Sequence, residues 1–171
     1  MNKKIIEQCR KIKVVITDVD GVLTDGGMFY SHEGDIMKKF HARDGMGVTL
    51  LRKNNIPTIL ITKEKNKIIR KWAKKMAIEH VYDGIIKKET VLPEITKKMN
   101  ILESEICYIG DDVNDIEILK KVGLSVSPYD AIELAKKTSN IITKSKGGEG
   151  VLREVADTIL SIKFPHRINF Y

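Results

Sequence analysis

The 171-residue sequence has little cysteine: Cys9 and Cys107 are its two, and no metal-ligand or redox spacing relates them. Neither a disulfide framework nor a cysteine metal site is on offer, which fits a reduced, cytoplasmic setting. Long apolar runs are missing as well. None approaches the roughly 18 residues that a membrane span requires, so no membrane partner is expected. The start, MNKKIIEQCRKIK, lacks the apolar stretch and small-residue cleavage site of a secretory signal and reads as a short amphipathic helix. No repeat, low-complexity tract or Pro/Ser-rich linker divides the chain, and a single domain over 1–171 is expected. What is abundant is positive charge, a formal +7. Nucleic acid would attract such a surface. However, the lysines are spread over several predicted helices and no basic segment is interleaved with aromatics, so no nucleic-acid partner is expected and a small anionic substrate explains the excess equally well.

The remaining pattern alternates strand and helix. The segments 13–18 (KVVITD), 57–62 (PTILIT) and 105–110 (EICYIG) are apolar, β-branched runs of the kind found in central parallel strands, with shorter candidates at 80–82, 124–126 and 140–143. Helical stretches are predicted near 44–54, 65–77, 88–100, 113–121, 130–137 and 149–162. This order argues for an α/β fold with a doubly wound parallel sheet. One segment, about 28–40, breaks the alternation and reads as a small β-hairpin turning near His32–Gly34. The tail, about 163–171, carries the helix-stopping Pro165 and exposed-looking aromatics that could pack on a neighbour.

Ligands of open parallel sheets bind beyond the carboxyl ends of the strands. Those ends here carry Asp18 and Asp20, Thr62, and Asp111 with Asp112, Asn114 and Asp115 following; Lys87 and Lys88 open a later helix. Carboxylates gathered at one edge repel each other unless a cation sits among them, and Mg²⁺ suits a few carboxylate oxygens with waters retained. Asp can also attack phosphorus, a Thr hydroxyl can bond a phosphoryl oxygen, and a lysine can supply positive charge. The residue set describes phosphoryl transfer. The glycines 147, 148 and 150 predict a turn before the last helix whose amides could help hold an anion.

DVDGVLTDG, the strand-end Thr62, the later lysine and GDDVND resemble the four motifs of the haloacid dehalogenase superfamily. KKFHARDGMG, GLSVSPYDA and GGEGVLREVADTIL extend the likeness, over about 13–162, to its capless branch of phosphatases for eight- and nine-carbon keto sugar acids. The resemblance implies a Rossmann-like fold without a cap domain, Mg²⁺ as cofactor, Asp18 as nucleophile and Asp20 as acid and base. It implies metal ligation by Asp18, the Asp20 carbonyl and Asp111, phosphate contact by Thr62, and the motif lysine at Lys88 with Lys87 as rival. Asp112 and Asp115 become supporting or lysine-orienting groups. Octulosonate phosphatases of the branch carry a segment like TGR after the second strand, where this chain has Thr62-Lys63-Glu64. Glu64, with Lys75 eleven positions on, resembles the pattern of phosphatases for nine-carbon, sialic-acid-like 9-phosphates, so that class is the expected substrate and octulosonate 8-phosphate the alternative. Lys63 departs from the glycine of that pattern. Arg43 is a further candidate for substrate contact. The branch also implies a homotetramer with hairpins at its centre and neighbours completing each other's sites. Two other functions compete: a phospho-receiver domain, disfavoured because Asp20 would turn a phospho-aspartate over, and a non-catalytic oligomerisation module, disfavoured because all the motif carboxylates remain.

Overall fold

Val14, Val15, Ile16 and Thr17 are all buried, as β-branched residues covered on both faces of a sheet should be. They form the central strand β1 (Val14–Thr17) of a computed structural model that describes residues 2–167 and 169–171. Among the described residues a six-stranded parallel sheet runs in the order β5 (His80–Asp83), β4 (Thr58–Thr62), β1, β6 (Ile106–Ile109), β7 (Leu124–Ser127), β8 (Ile141–Ile142). Strand order reverses direction at β1, which is therefore a topological switch point where a ligand crevice opens.

Alternate residues of the strands feed two cores. Val15, Leu60 and Cys107 pack beneath α1 (Lys3–Lys11), α2 (Ala42–Lys53), α3 (Lys67–Lys75) and α7 (Val151–Lys163). Val14, Ile16, Ile59 and Tyr108 pack beneath α4 (Leu92–Met99), α5 (Ile116–Lys121) and α6 (Glu133–Thr138). No helix is long and apolar enough to cross a membrane among the described residues.

The hairpin, β2 (Phe29–Ser31) with β3 (Gly34–Met37), stands apart as a two-stranded antiparallel sheet, and no cap domain is present among the described residues. Helix boundaries differ from expectation where capping decides them. Helix α2 starts at Ala42 because the His41 imidazole accepts the Arg43 N–H, and α3 starts at Lys67 because the Asn66 side chain accepts from Ile68. The segment expected as one helix over 88–100 is a 3₁₀ turn, Lys88–Val91, followed by α4. That over 113–121 is likewise a 3₁₀ turn, Val113–Asp115, capped by Asp112 and leading into α5.

The tail corrects its expectation in part. Phe170 packs against Phe164 and the chain's own core, and Asn54 bonds both the Arg167 guanidinium and the Phe170 carbonyl. Tyr171 is exposed beneath the Lys53 ammonium. Ile168 of this tail, and Met1 at the other end, lie outside the described residues.

Candidate active site

The registers Thr17↔Leu60 and Thr17↔Ile109 bring the ends of β4, β1 and β6 level. Asp18, Thr62 and Asp111 consequently meet at one edge, and Asp18, Asp20, Thr62, Lys63, Glu64, Asp112, Val113 and Asn114 line a pocket of about 240 Å³. Gly21 lets the loop after β1 approach β6: its φ is +92°, and a Cβ there would collide with the Asp111 carboxylate.

Lys88 lies fully buried beneath the pocket, its ammonium 2.7 Å from both Asp18 Oδ2 and Asp115 Oδ1. Lys87 is exposed, so the geometry singles out Lys88. Burial draws the Lys88 pKa down, but the two carboxylates more than offset this and hold it above the ordinary lysine value.

Asp115 is saturated. It accepts from Lys88 Nζ, from the Tyr108 hydroxyl at 2.6 Å, and from the Asp111 and Asp112 amides at 2.9 and 3.2 Å. With its acceptor positions occupied, it orients the lysine and the loop after β6. Asp112 is exposed and accepts from Val113 N.

Asp18 and Asp111 have fewer partners. Asp18 is almost wholly buried and accepts the Val19 N–H at 2.7 Å. Burial raises its pKa, against the pull of Lys88. The Asp111 pKa is pushed up to about 8 by burial and by the charges of Asp18 and Asp115, and its Oδ1 is buried without a partner among the described residues. Carboxylate oxygens of Asp18, Asp111 and Asp115 lie within 4.8 Å of one another, with Lys88 the buried counter-charge between Asp18 and Asp115. Crowded oxygens with an unpartnered acceptor fit a hard divalent cation. Thr62 is buried and its Oγ accepts from Glu64 N at 3.2 Å, which leaves its own proton free to donate to a phosphoryl oxygen.

Two predicted substrate residues are not brought to this pocket within one chain. Lys75 lines a separate cleft with Phe40, His41 and Trp72. The nine residues of α3 carry it roughly 13 Å along the helix axis from the Glu64 end. Arg43 faces a groove with Glu149, Arg153 and Asp157. The amides of the glycine turn are taken up within the chain: the Gly147 amide donates to the Asp130 carboxylate, the Gly148 amide donates to the Val22 carbonyl, and the turn buttresses the loop after β1.

Sequence reasoning missed two residues. Tyr108 could have been suspected, because a tyrosine in a fully buried strand needs a partner for its hydroxyl. Lys38 lies in the KKFHARDGMG segment but is one of 30 Lys and Arg residues, and only the fold shows its ammonium 2.7 Å from Asp20 Oδ1 with the side chain only 4% exposed.

Comparison with known proteins gives the family. Residues 52–155 match the family model described as haloacid dehalogenase-like hydrolase. The 3-deoxy-D-manno-octulosonate 8-phosphate phosphatase of Yersinia pestis is 35% identical over 156 residues, covering 91% of this chain and 83% of that protein. The crystal structure of the corresponding phosphatase of Moraxella catarrhalis, in complex with magnesium ion, phosphate ion and a KDO molecule, superposes with a TM-score of 0.91 at 34% identity, covering 95% of this chain and 94% of that one. The cobalt-bound enzyme of Haemophilus influenzae gives 0.89 at 33% identity, with 91% of each chain covered. The chain belongs to the haloacid dehalogenase-like hydrolases and is a phosphatase of that family.

Proposed function

We propose that this phosphatase is Mg²⁺-dependent and removes the terminal phosphate of a keto sugar acid through a phospho-aspartate on Asp18, with 3-deoxy-D-manno-octulosonate 8-phosphate as its substrate. The observation that carries the chemistry is the convergence of Asp18, Asp20, Thr62, Lys88 and Asp111 on one strand edge. Similarity over nine-tenths of the chain to octulosonate phosphatases supports the substrate.

Asp18, the Asp20 carbonyl and Asp111 would hold Mg²⁺, which when bound supplies charge neutralisation for the phosphoryl group. The chain's own residues account for the rest. Asp18 attacks phosphorus, forming a phosphorus–oxygen bond as the ester bond breaks, and Asp20 gives its proton to the departing alkoxide. Asp20 then takes a proton from water as that water attacks phosphorus and breaks the bond to Asp18, releasing phosphate and restoring both carboxyls. Thr62 donates to a phosphoryl oxygen. Lys88, held by Asp115, offsets the negative charge around Asp18.

A second reading, a nine-carbon 9-phosphate, rests on Glu64. It lines the pocket where the octulosonate segment resembles TGR. A carboxylate there would accept from sugar hydroxyls, whereas arginine would favour a substrate carboxylate.

The pocket is smaller than the roughly 300–1,000 Å³ that encloses a whole ligand of this size. Lys75 and Arg43 line other clefts of the same chain, and the homotetramer reading has a neighbouring copy bring such residues to the substrate. The exposed hairpin residues Met28, Phe29, Tyr30, Ile36 and Met37 support a homotetramer assembled through that hairpin, checked by sedimentation equilibrium. The buried free thiols of Cys9 and Cys107 support a reducing, cytoplasmic location.

The test is phosphate release with and without Mg²⁺ from octulosonate 8-phosphate, deaminoneuraminate 9-phosphate, N-acetylneuraminate 9-phosphate and hexose phosphates. Preference for the octulosonate supports the proposal. Preference for a nine-carbon acid moves the substrate to the Glu64 reading, and no Mg²⁺-dependent release would reject the function.

A further inference from the structure

We infer that Lys38 is a positioning residue for Asp20, fixing one oxygen of the acid/base carboxylate and tying it to the hairpin and to the loop after β4. The inference rests on the role proposed above for Asp20.

Lys38 follows β3, the second strand of the hairpin. Its ammonium lies 2.7 Å from Asp20 Oδ1 and 3.4 Å from Asp35 Oδ2, with the lysine side chain largely buried and the Asp20 side chain partly exposed. Asp20 Oδ1 is held a second time by the Thr24 hydroxyl at 3.2 Å, whereas Asp20 Oδ2 is buried and has no partner among the described residues. One oxygen is thus clamped from two sides, while the other is buried and makes no competing hydrogen bond. A proton-transfer group needs this asymmetry, because its reactive oxygen must be held at hydrogen-bond distance and angle from the ester oxygen and then from the water.

The clamp is anchored elsewhere. Asp35 Oδ2 accepts from Asn66 Nδ2 at 2.7 Å, and Asn66 also caps α3, two residues after Glu64. Three segments therefore meet at Lys38: the loop after β1, the hairpin, and the loop that carries Glu64. Displacing the hairpin would remove the charged partner of Asp20. A solvated lysine would show none of this, since exposed ion pairs lie open to water and constrain little.

The discriminating experiment compares two esters in single turnover with excess Mg²⁺-loaded enzyme. With 4-nitrophenyl phosphate the leaving group departs as a stable anion and needs no proton from Asp20. A primary alkyl phosphate does need one. Lys38→Met should release nitrophenolate within about twofold of the wild-type rate, yet release phosphate from the alkyl ester at least about tenfold more slowly, a part of the roughly 10²–10⁴ that general acid–base catalysis supplies. Asp35→Asn, which keeps Lys38 but removes its second carboxylate, should show the same split at smaller amplitude. It also decides the matter should Lys38→Met fail to fold. Equal losses on the two esters, or none, would overturn the inference, because a merely structural lysine would slow both alike. If wild-type protein released neither product, the Asp20 role itself would fall, an outcome distinct from a loss of the split alone.

Discussion

Asp111→Asn should make the Mg²⁺-free protein more stable while abolishing its metal response. The folded protein raises the Asp111 pKa from 3.8 to about 8 by burying it beside Asp18 and Asp115. Between those values the native state holds a proton that the unfolded chain has released. The contribution of Asp111 to stability is therefore fully present below about pH 4 and is lost as pH rises through about 8. At pH 7.5 the difference from 3.8 is worth at most roughly 5 kcal/mol, at about 1.4 kcal/mol per unit. Relaxation and water in a half-open pocket reduce this to about 2–3 kcal/mol, or roughly 6–8 °C for a chain of this size. Thermal melts in EDTA should show Asp111→Asn above wild type by about that amount at pH 7.5, with the gap closing by pH 4.5. Millimolar Mg²⁺ should raise the wild-type midpoint and leave the variant unmoved, because a bound ligand stabilises only the state that binds it. A variant less stable than wild type in EDTA, or one still stabilised by Mg²⁺, would refute the reasoning.

Two further outcomes are expected. Asp44, buried with its carboxylate accepting the Arg153 N–H at 3.0 Å at the start of α7, has its pKa pushed up to about 6 by burial, so its contribution falls as pH rises from about 3.8 through 6. Urea denaturation should show the stability difference between wild type and Asp44→Asn shifting against wild type by about 2 kcal/mol from pH 4 to pH 7, and a constant difference would contradict the assignment. Glu64→Arg should lower the ratio of nine-carbon to octulosonate activity about tenfold, equivalent to one charge-assisted hydrogen bond, and an unchanged ratio would remove Glu64 from substrate selection.

The sheet was legible because its central strands are buried on both faces and therefore read as unbroken β-branched runs such as Val14–Thr17. Asp18, Thr62 and Asp111 were legible for a related reason: each terminates or closely follows such a run, and parallel strands bring those ends level. Lys88 and Lys87 could not be separated in one dimension, since only the turn into α4 decides which ammonium points inward. Lys75 and Arg43 were named as substrate contacts, but where each lies in the fold is set by helix direction and facing, and within one chain they line two other clefts. Lys38 opens the KKFHARDGMG segment, but nothing in that stretch reveals its partner. Its partner Asp20 lies 18 residues earlier, and the contact exists only once the hairpin folds back over the loop after β1.

The most direct test of the central claim is to acid-quench the enzyme during turnover with Mg²⁺ and octulosonate 8-phosphate and map its peptides by mass. One phosphoryl group is expected on the peptide carrying Asp18, and neither that adduct nor phosphate release from Asp18→Asn protein that remains folded. Continued phosphate release by Asp18→Asn, or a phosphoryl group on any other residue, would contradict it.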